Sequence, residues 1–269
     1  MRRLVARTDS TGAWQYLYGN TKNPFQLTAM RDPAGVLSYY YYDDSGKLFA
    51  FDKGGTRYYV ATDQLGTPKV ITDATGTVVK QMEFDSFGMW TADSKPEFEM
   101  PVGFAGGIVD TRTTLVRFGY RDYEPGNGRW TAKDPIFFAG GLNLFNYVRN
   151  NPINFFDPWG LLRYTGTAGD PVNATTTSAM ECFERCAGHE VTITAGQEGG
   201  HSRGSAHETG QACDVGTNSN PWLDRETSEG CFNQCFSQDS SFGQQEGNHY
   251  HFQTRPGRGG ATGFAPGIR

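Results

Sequence analysis

The chain has 269 residues, enough for two ordinary domains. Residues 1–161 carry 17 Lys and Arg against 17 Asp and Glu, whereas residues 162–269 carry 7 against 12, so the net charge of −5 belongs to the second part, which has no basic patch for nucleic acid. With no apolar run of 18 residues and no charged-then-apolar leader, the expectation is neither a membrane span nor a conventional secretory signal. All five cysteines and all five histidines follow residue 162, and the last lysine is Lys133, so two sequences of different chemical character are joined.

From residue 1 to about 100 one theme repeats, an Asp-x-x-Gly turn followed by alternating or aromatic strand residues. It appears at Asp9–Gly12, Asp32–Gly35, Asp43–Gly46, Asp63–Gly66 and Asp73–Gly76. Asp opens such turns by bonding its own backbone two residues on, Gly accepts positive φ, and strands such as Val36–Tyr42 follow. The pattern predicts an all-β array of hairpins, coiled so that each buries its face on the next.

Further on, Phe118-Gly119-Tyr120-Arg121-Asp122-Tyr123-Glu124-Pro125-Gly126 leads to Lys133-Asp134-Pro135, Gly140 to Val148, Asn150-Asn151-Pro152 and Asp157-Pro158-Trp159-Gly160-Leu161. Over about residues 30–161 this order of motifs resembles the core-associated end of Rhs/YD-repeat proteins. The resemblance implies a β-strand shell segment (1–161) that encapsulates a variable C-terminal toxin and closes in a plug. It also implies self-cleavage between Leu161 and Leu162 by an aspartyl-protease-like pair, with Asp157 as one carboxylate and Asp134 as the candidate second. Two carboxylates sharing a proton can activate water and protonate the carbonyl. Read without the family, both are Asp-Pro turn openers.

Residues 162–269 read as an α+β domain. Thr175 to Ser178 offer N-cap residues to a helix holding Cys182 and Cys186. Glu190–Ala195 alternates as a strand, a second helix holds Cys231 and Cys235, and His249–Gln253 is a strand before a loose Gly-rich tail. His207, Asp214 and His251 supply the three ligands that a hydrolytic zinc site needs, with one position left open for water. On a strand His249 and His251 point to the same side. Cys213, next to Asp214, then faces away from the metal as a buried thiol, while His189 and His201 read as a helix-end and a loop residue.

Ser205-x-His207-x-x-Gly210-x-Ala212-x-Asp214 with His249-x-His251 resembles the M15 peptidase clan of D-alanyl-D-alanine carboxypeptidases, whose metal fold Hedgehog domains share. The resemblance, over about residues 190–253, implies Zn²⁺ on His207, Asp214 and His251. It makes His249 a stabiliser of the tetrahedral intermediate and Glu246 the general base. Where the family carries an Arg after the strand, this chain has Gln197 and Glu198, and Arg203 stands in for it. Ser205, Arg203 and Gln197 are the candidate orienting residues.

Each Cys-x-x-x-Cys pair puts two sulfurs one turn apart on a helix face, so antiparallel helices allow Cys182–Cys235 and Cys186–Cys231 disulfides. A four-cysteine zinc site is the rival. Disulfides point to an oxidising destination.

Together these features predict an Rhs-type antibacterial effector whose C-terminal zinc peptidase cuts peptidoglycan peptides in the periplasm of a target cell. The Rhs resemblance implies delivery by a type VI or similar secretion apparatus and a cognate immunity protein. Two other classes stay open: a metal- and cell-wall-binding module without turnover, as in Hedgehog domains, and a YD-repeat surface adhesion fragment.

Overall fold

The computed structural model describes residues 4–20, 23–134, 143–165, 168, 171–197 and 204–268. The Asp-x-x-Gly repeats fold into one nine-stranded antiparallel meander in sequence order: β1 (Ala6–Asp9), β2 (Gly12–Leu17), β3 (Ala29–Arg31), β4 (Leu37–Tyr42), β5 (Leu48–Lys53), β6 (Thr56–Thr62), β7 (Pro68–Asp73), β8 (Val78–Phe84) and β9 (Trp90–Asp93). The turn chemistry is uniform. In the β4–β5 hairpin Asp43 Oδ1 accepts the Ser45 and Lys47 amides at 2.9 Å each, and the Gly46 amide donates to the Asp43 carbonyl at 3.0 Å. The same bonds recur at Asp63, Asp73 and a further instance, Asp85 to Gly88. One face of the sheet buries Tyr16, Met30, Tyr40, Phe51, Ile71 and Met82 in a common core, while Tyr39, Tyr41 and Tyr59 remain exposed on the other.

A second sheet follows, β10 (Ile108–Val109), β11 (Val116–Phe118), β12 (Arg121–Glu124) and β13 (Arg129–Trp130). It surrounds an aromatic core of Phe104, Phe118, Tyr123, Trp130 and Tyr147. The Asp-Pro-Trp-Gly-Leu motif locks onto its β11–β12 turn, with Tyr120 N donating to Trp159 O at 2.9 Å. Two glycines permit this contact. A Cβ on Gly119 would lie 2.6 Å from Trp159 O, and one on Gly160, at φ +69°, would lie 2.8 Å from Phe118 O.

The composition boundary after Leu161 is not a packing boundary. A three-stranded sheet joins β14 (Phe155–Phe156), β15 (Arg163–Thr165) and β16 (Thr192–Ile193) across it. Trp159, Leu161 and Leu162 share one core with Phe183, Phe232 and Phe252 of the C-terminal part.

That part holds the two α-helices of the described residues, α1 (Ala174–Ala187) and α2 (Arg225–Cys235), joined by disulfides Cys182–Cys235 and Cys186–Cys231. Against the expected cap at Thr175 to Ser178, Asn173 caps α1: its side chain accepts the Thr176 amide, and the threonines lie inside the helix. The helices cover one face of a sheet ordered β17 (Ala212–Gly216), β19 (His249–Gln253), β18 (Phe242–Glu246) and β20 (Gly263–Ile268). Two expectations need correction. The strand expected over Glu190–Ala195 is only Thr192–Ile193, with Ala195 bridging Asp214. The tail is not loose: β20 pairs in parallel with β18, satisfying its outer edge, and the Phe264 ring packs tilted against Phe232, Tyr250 and Phe252.

Candidate functional site

Strand alternation divides the last sheet. Cys213, Val215, Tyr250 and Phe252 point into the core under the helices. Asp214, His249, His251, Gln244 and Glu246 therefore share the other face, in the register Asp214↔His251↔Gln244 and Glu246↔His249. A two-residue Gly247-Asn248 turn, with Gly247 at φ +59°, sets Glu246 opposite His249. His207 reaches this face from the short 3₁₀ turn His207–Thr209, whose backbone is held by Ser205 Oγ accepting the His207 amide at 3.3 Å.

The structure brings the three expected ligands together. His207 Nε2 lies 3.2 Å from His251 Nδ1 and 3.4 Å from Asp214 Oδ1, and His251 Nδ1 lies 2.8 Å from Asp214 Oδ1. Ligand atoms about 2.0–2.1 Å from one tetrahedral zinc ion stand about 3.3 Å apart, so this triangle has the size of a zinc site. Tautomers agree. His207 Nδ1 must donate to the Gly196 carbonyl, 2.7 Å away, which leaves Nε2 as the ring atom that faces the triangle. Burial opposes ionisation of Asp214, but hydrogen bonds with His207 and His251 outweigh it and hold the carboxyl well below its usual range. Burial likewise opposes protonation of His251, and Asp214 overcomes it, moving that ring upwards. Two ring nitrogens and a carboxylate oxygen turned on one point are a donor set for a divalent cation, which would displace the protons the rings share with Asp214. Among the described residues this is the one group of metal-type ligands so placed.

Around the triangle, His249 Nε2 stands 3.7 Å from Asp214 Oδ2 and 3.5 Å from Glu246 Oε2. Glu246 is partly exposed and also bonds Gln244. Gln197 is buried, donates to the Pro171 carbonyl and packs under Gly210, a position that braces the loop and does not present the amide to a substrate. Arg203 and His201 lie outside the described residues. His189 sits just beyond α1, stacked on Trp222. Cys213 is buried and stands outside both disulfides.

The second expected site is built at the chain's composition boundary. Asp157 Oδ1 accepts the amides of Leu161 at 2.8 Å and Leu162 at 3.2 Å, so the carboxyl touches the nitrogen of the bond between those residues. Asp134 and Asp157 are bridged by a residue that sequence reasoning gave no role: Arg121 places Nη1 2.8 Å from Asp134 and Nη2 3.2 Å from Asp157. Its Nε donates to Gly160 O at 2.6 Å. The expected pair thus shares a guanidinium. Burial pushes Asp157 up to about 7 despite Arg121 and the Leu161 amide. Leu161 and Leu162 are both buried, and beside them a pocket lined by Arg121, Asp134, Asp157, Leu161, Arg163 and Glu190 has about 20 Å³ of free volume, enough for one water.

Residues 1–172 match the family model described as Teneurin YD-shell, a match that runs past Leu161 and through β15. Teneurin-m of Drosophila melanogaster is 37% identical over 160 residues, which cover 56% of this chain and 6% of that protein. Teneurin-3 of Danio rerio is 34% identical over 165 residues, 57% of this chain and again 6% of the relative. The chain therefore spans about 6% of the length of these curated relatives. Among solved structures, TcdB2-TccC3 is similar with a TM-score of 0.43 and 23% identity over 58% of this chain and 8% of that one. No helix among the described residues is long and apolar enough to cross a membrane.

Proposed function

The chain belongs to the Teneurin YD-shell family, and from that premise we propose that it is a shell segment carrying a zinc peptidase, which it frees by cutting itself after Leu161. The observation that carries the peptidase reading is the triangle of His207 Nε2, Asp214 Oδ1 and His251 Nδ1. Those three residues would hold Zn²⁺, which when bound polarises a carbonyl and acidifies water. Glu246 takes the proton of the attacking water and passes it to the departing nitrogen as the C–N bond breaks, and His249 would stabilise the charge that develops on the carbonyl oxygen. Both lie on the open face of the sheet with the triangle.

For self-cleavage, Asp134 takes a proton from water as its oxygen bonds the Leu161 carbonyl carbon. The C–N bond breaks, and Asp157 gives its proton to the departing Leu162 nitrogen, 3.2 Å away. Arg121 holds both carboxyls in place.

The substrate proposed is a peptidoglycan stem or cross-link peptide, met in the periplasm of a target bacterium. The two disulfides support an oxidising place of action. Delivery by a specialised secretion apparatus and restraint by a cognate immunity protein complete the proposal. Mass spectrometry of muropeptides after incubation with the zinc-loaded chain tests it: shortened peptides are expected, lost with Glu246→Gln. Unchanged muropeptides with zinc bound would instead support a binding module without turnover.

A further inference from the structure

The two ring ligands are fixed from behind by different means. The outer nitrogen of His207 meets a backbone carbonyl, Gly196 O at 2.7 Å. That of His251 meets a side chain: Nε2 is 2.9 Å from Gln253 Oε1. Gln253 is buried, two residues along the same strand face, and its own orientation is set because Nε2 donates to the Arg255 carbonyl at 2.9 Å. The amide can therefore offer only its oxygen to the ring, so His251 carries a proton on Nε2, and Nδ1, 2.8 Å from Asp214 Oδ1, is the nitrogen left to bind a metal.

We infer that Gln253 is a positioning residue that selects the metal-binding tautomer of His251 through the chain Arg255 O, Gln253 amide, His251 Nε2–H. The inference rests on the zinc reading above. It goes beyond it in assigning a residue that is neither a ligand nor a group touching substrate. Neutral imidazole otherwise has two tautomers, and the one with its proton on Nδ1 would aim N–H at the cation. Removing the acceptor releases that choice.

The test uses the full chain with zinc as the probe. Competition against a chromophoric chelator gives the Kd, and ¹⁵N imidazole spectra of the zinc-loaded chain give the tautomer. Gln253→Leu is expected to weaken zinc binding about 10–100-fold, the usual effect of losing an outer partner, and to move the His251 proton off Nε2. Gln253→Glu keeps the acceptor and is expected to hold both the wild-type tautomer and a Kd near wild type. Wild-type Kd and tautomer in Gln253→Leu would overturn the inference. If the leucine variant does not fold, the glutamate variant decides: a carboxylate that keeps Nε2 protonated and retains zinc supports the role, and one that loses both overturns it. A wild-type chain that takes up no zinc would overturn the metal reading and this inference together, and is told apart because it shows in the unsubstituted protein.

Discussion

Asp157 and Asp214 are both largely buried carboxyls with hydrogen-bonding partners on either side, yet their surroundings drive them in opposite directions. Burial pushes Asp157 up to about 7, because Arg121 is shared with Asp134 and the Leu161 amide does not make up the difference. Burial works the same way at Asp214, but bonds with two imidazoles outweigh it and keep the carboxyl ionised. One carboxyl is thereby shifted towards its protonated form beside a peptide nitrogen, and the other is held ionised beside two ring nitrogens. The proposed function uses both states, acid chemistry at the first site and a cation at the second.

The sharpest way to break this contrast is at Asp157. Asp157→Asn keeps the shape and removes the proton donor, and cleavage after Leu161 is expected to fall by about 10²–10⁴-fold, the range for losing a general acid. Intact-mass analysis of the purified chain reads it directly. At the other site, His207→Ala removes one of three ligands and should weaken zinc binding by more than the roughly 100-fold limit typical of outer partners, as measured by chelator competition. Cleavage after Leu161 should be unaffected by that change.

The frames differ as well. The Asp157 site is held by backbone bonds and by Gly119 and Gly160 contacts, whereas the sheet bearing Asp214 leans on two stapled helices. Cys182→Ser with Cys186→Ser opens loops of 53 and 45 residues. In the chain-entropy model a single such closure contributes about 4 kcal/mol, so thermal unfolding of the C-terminal core should move down by many degrees. An unchanged melting temperature would show that the sulfurs are not structural.

A smaller effect comes from pH. In the proposed cleavage Asp157 acts in its protonated form, so the cleavage rate should fall about tenfold per unit above about 7. The same carboxyl releases its proton near 3.8 in the unfolded chain and near 7 in the folded one. The folded state binds more protons between those values, so this group costs stability progressively as pH rises from about 3.8 to about 7, and the cost is constant above. Asp157→Asn should remove that slope from urea unfolding curves.

How legible each part was in the sequence follows from how local its signal is. The Asp-x-x-Gly hairpins are self-contained, since each Asp bonds amides two and four residues on, and the β-meander was readable from them. Cysteines four apart on a helix fix which sulfurs face a partner, and the observed pairing is the one that antiparallel helices favour. His207, Asp214 and His251 stood out because the chain has only five histidines and two of them share a strand face. Arg121 was hidden: 36 residues separate it from Asp157, and nothing in Tyr120-Arg121-Asp122 tells that the guanidinium turns inward. Gln253 was within reach of the same i, i+2 logic as the histidines but is no metal-type residue. The tail strand was obscured by glycine, with Phe264 its clearest trace.

Metal analysis of the full chain beside its Asp157→Asn and Asp214→Asn variants sets the two carboxyls against each other in one measurement. One zinc per chain is expected in the wild type and in Asp157→Asn, with little or none in Asp214→Asn, where the fixed charge is gone. Equal zinc in the wild type and Asp214→Asn, or zinc lost with Asp157→Asn, would contradict the assignment of the cation to the His207–Asp214–His251 triangle.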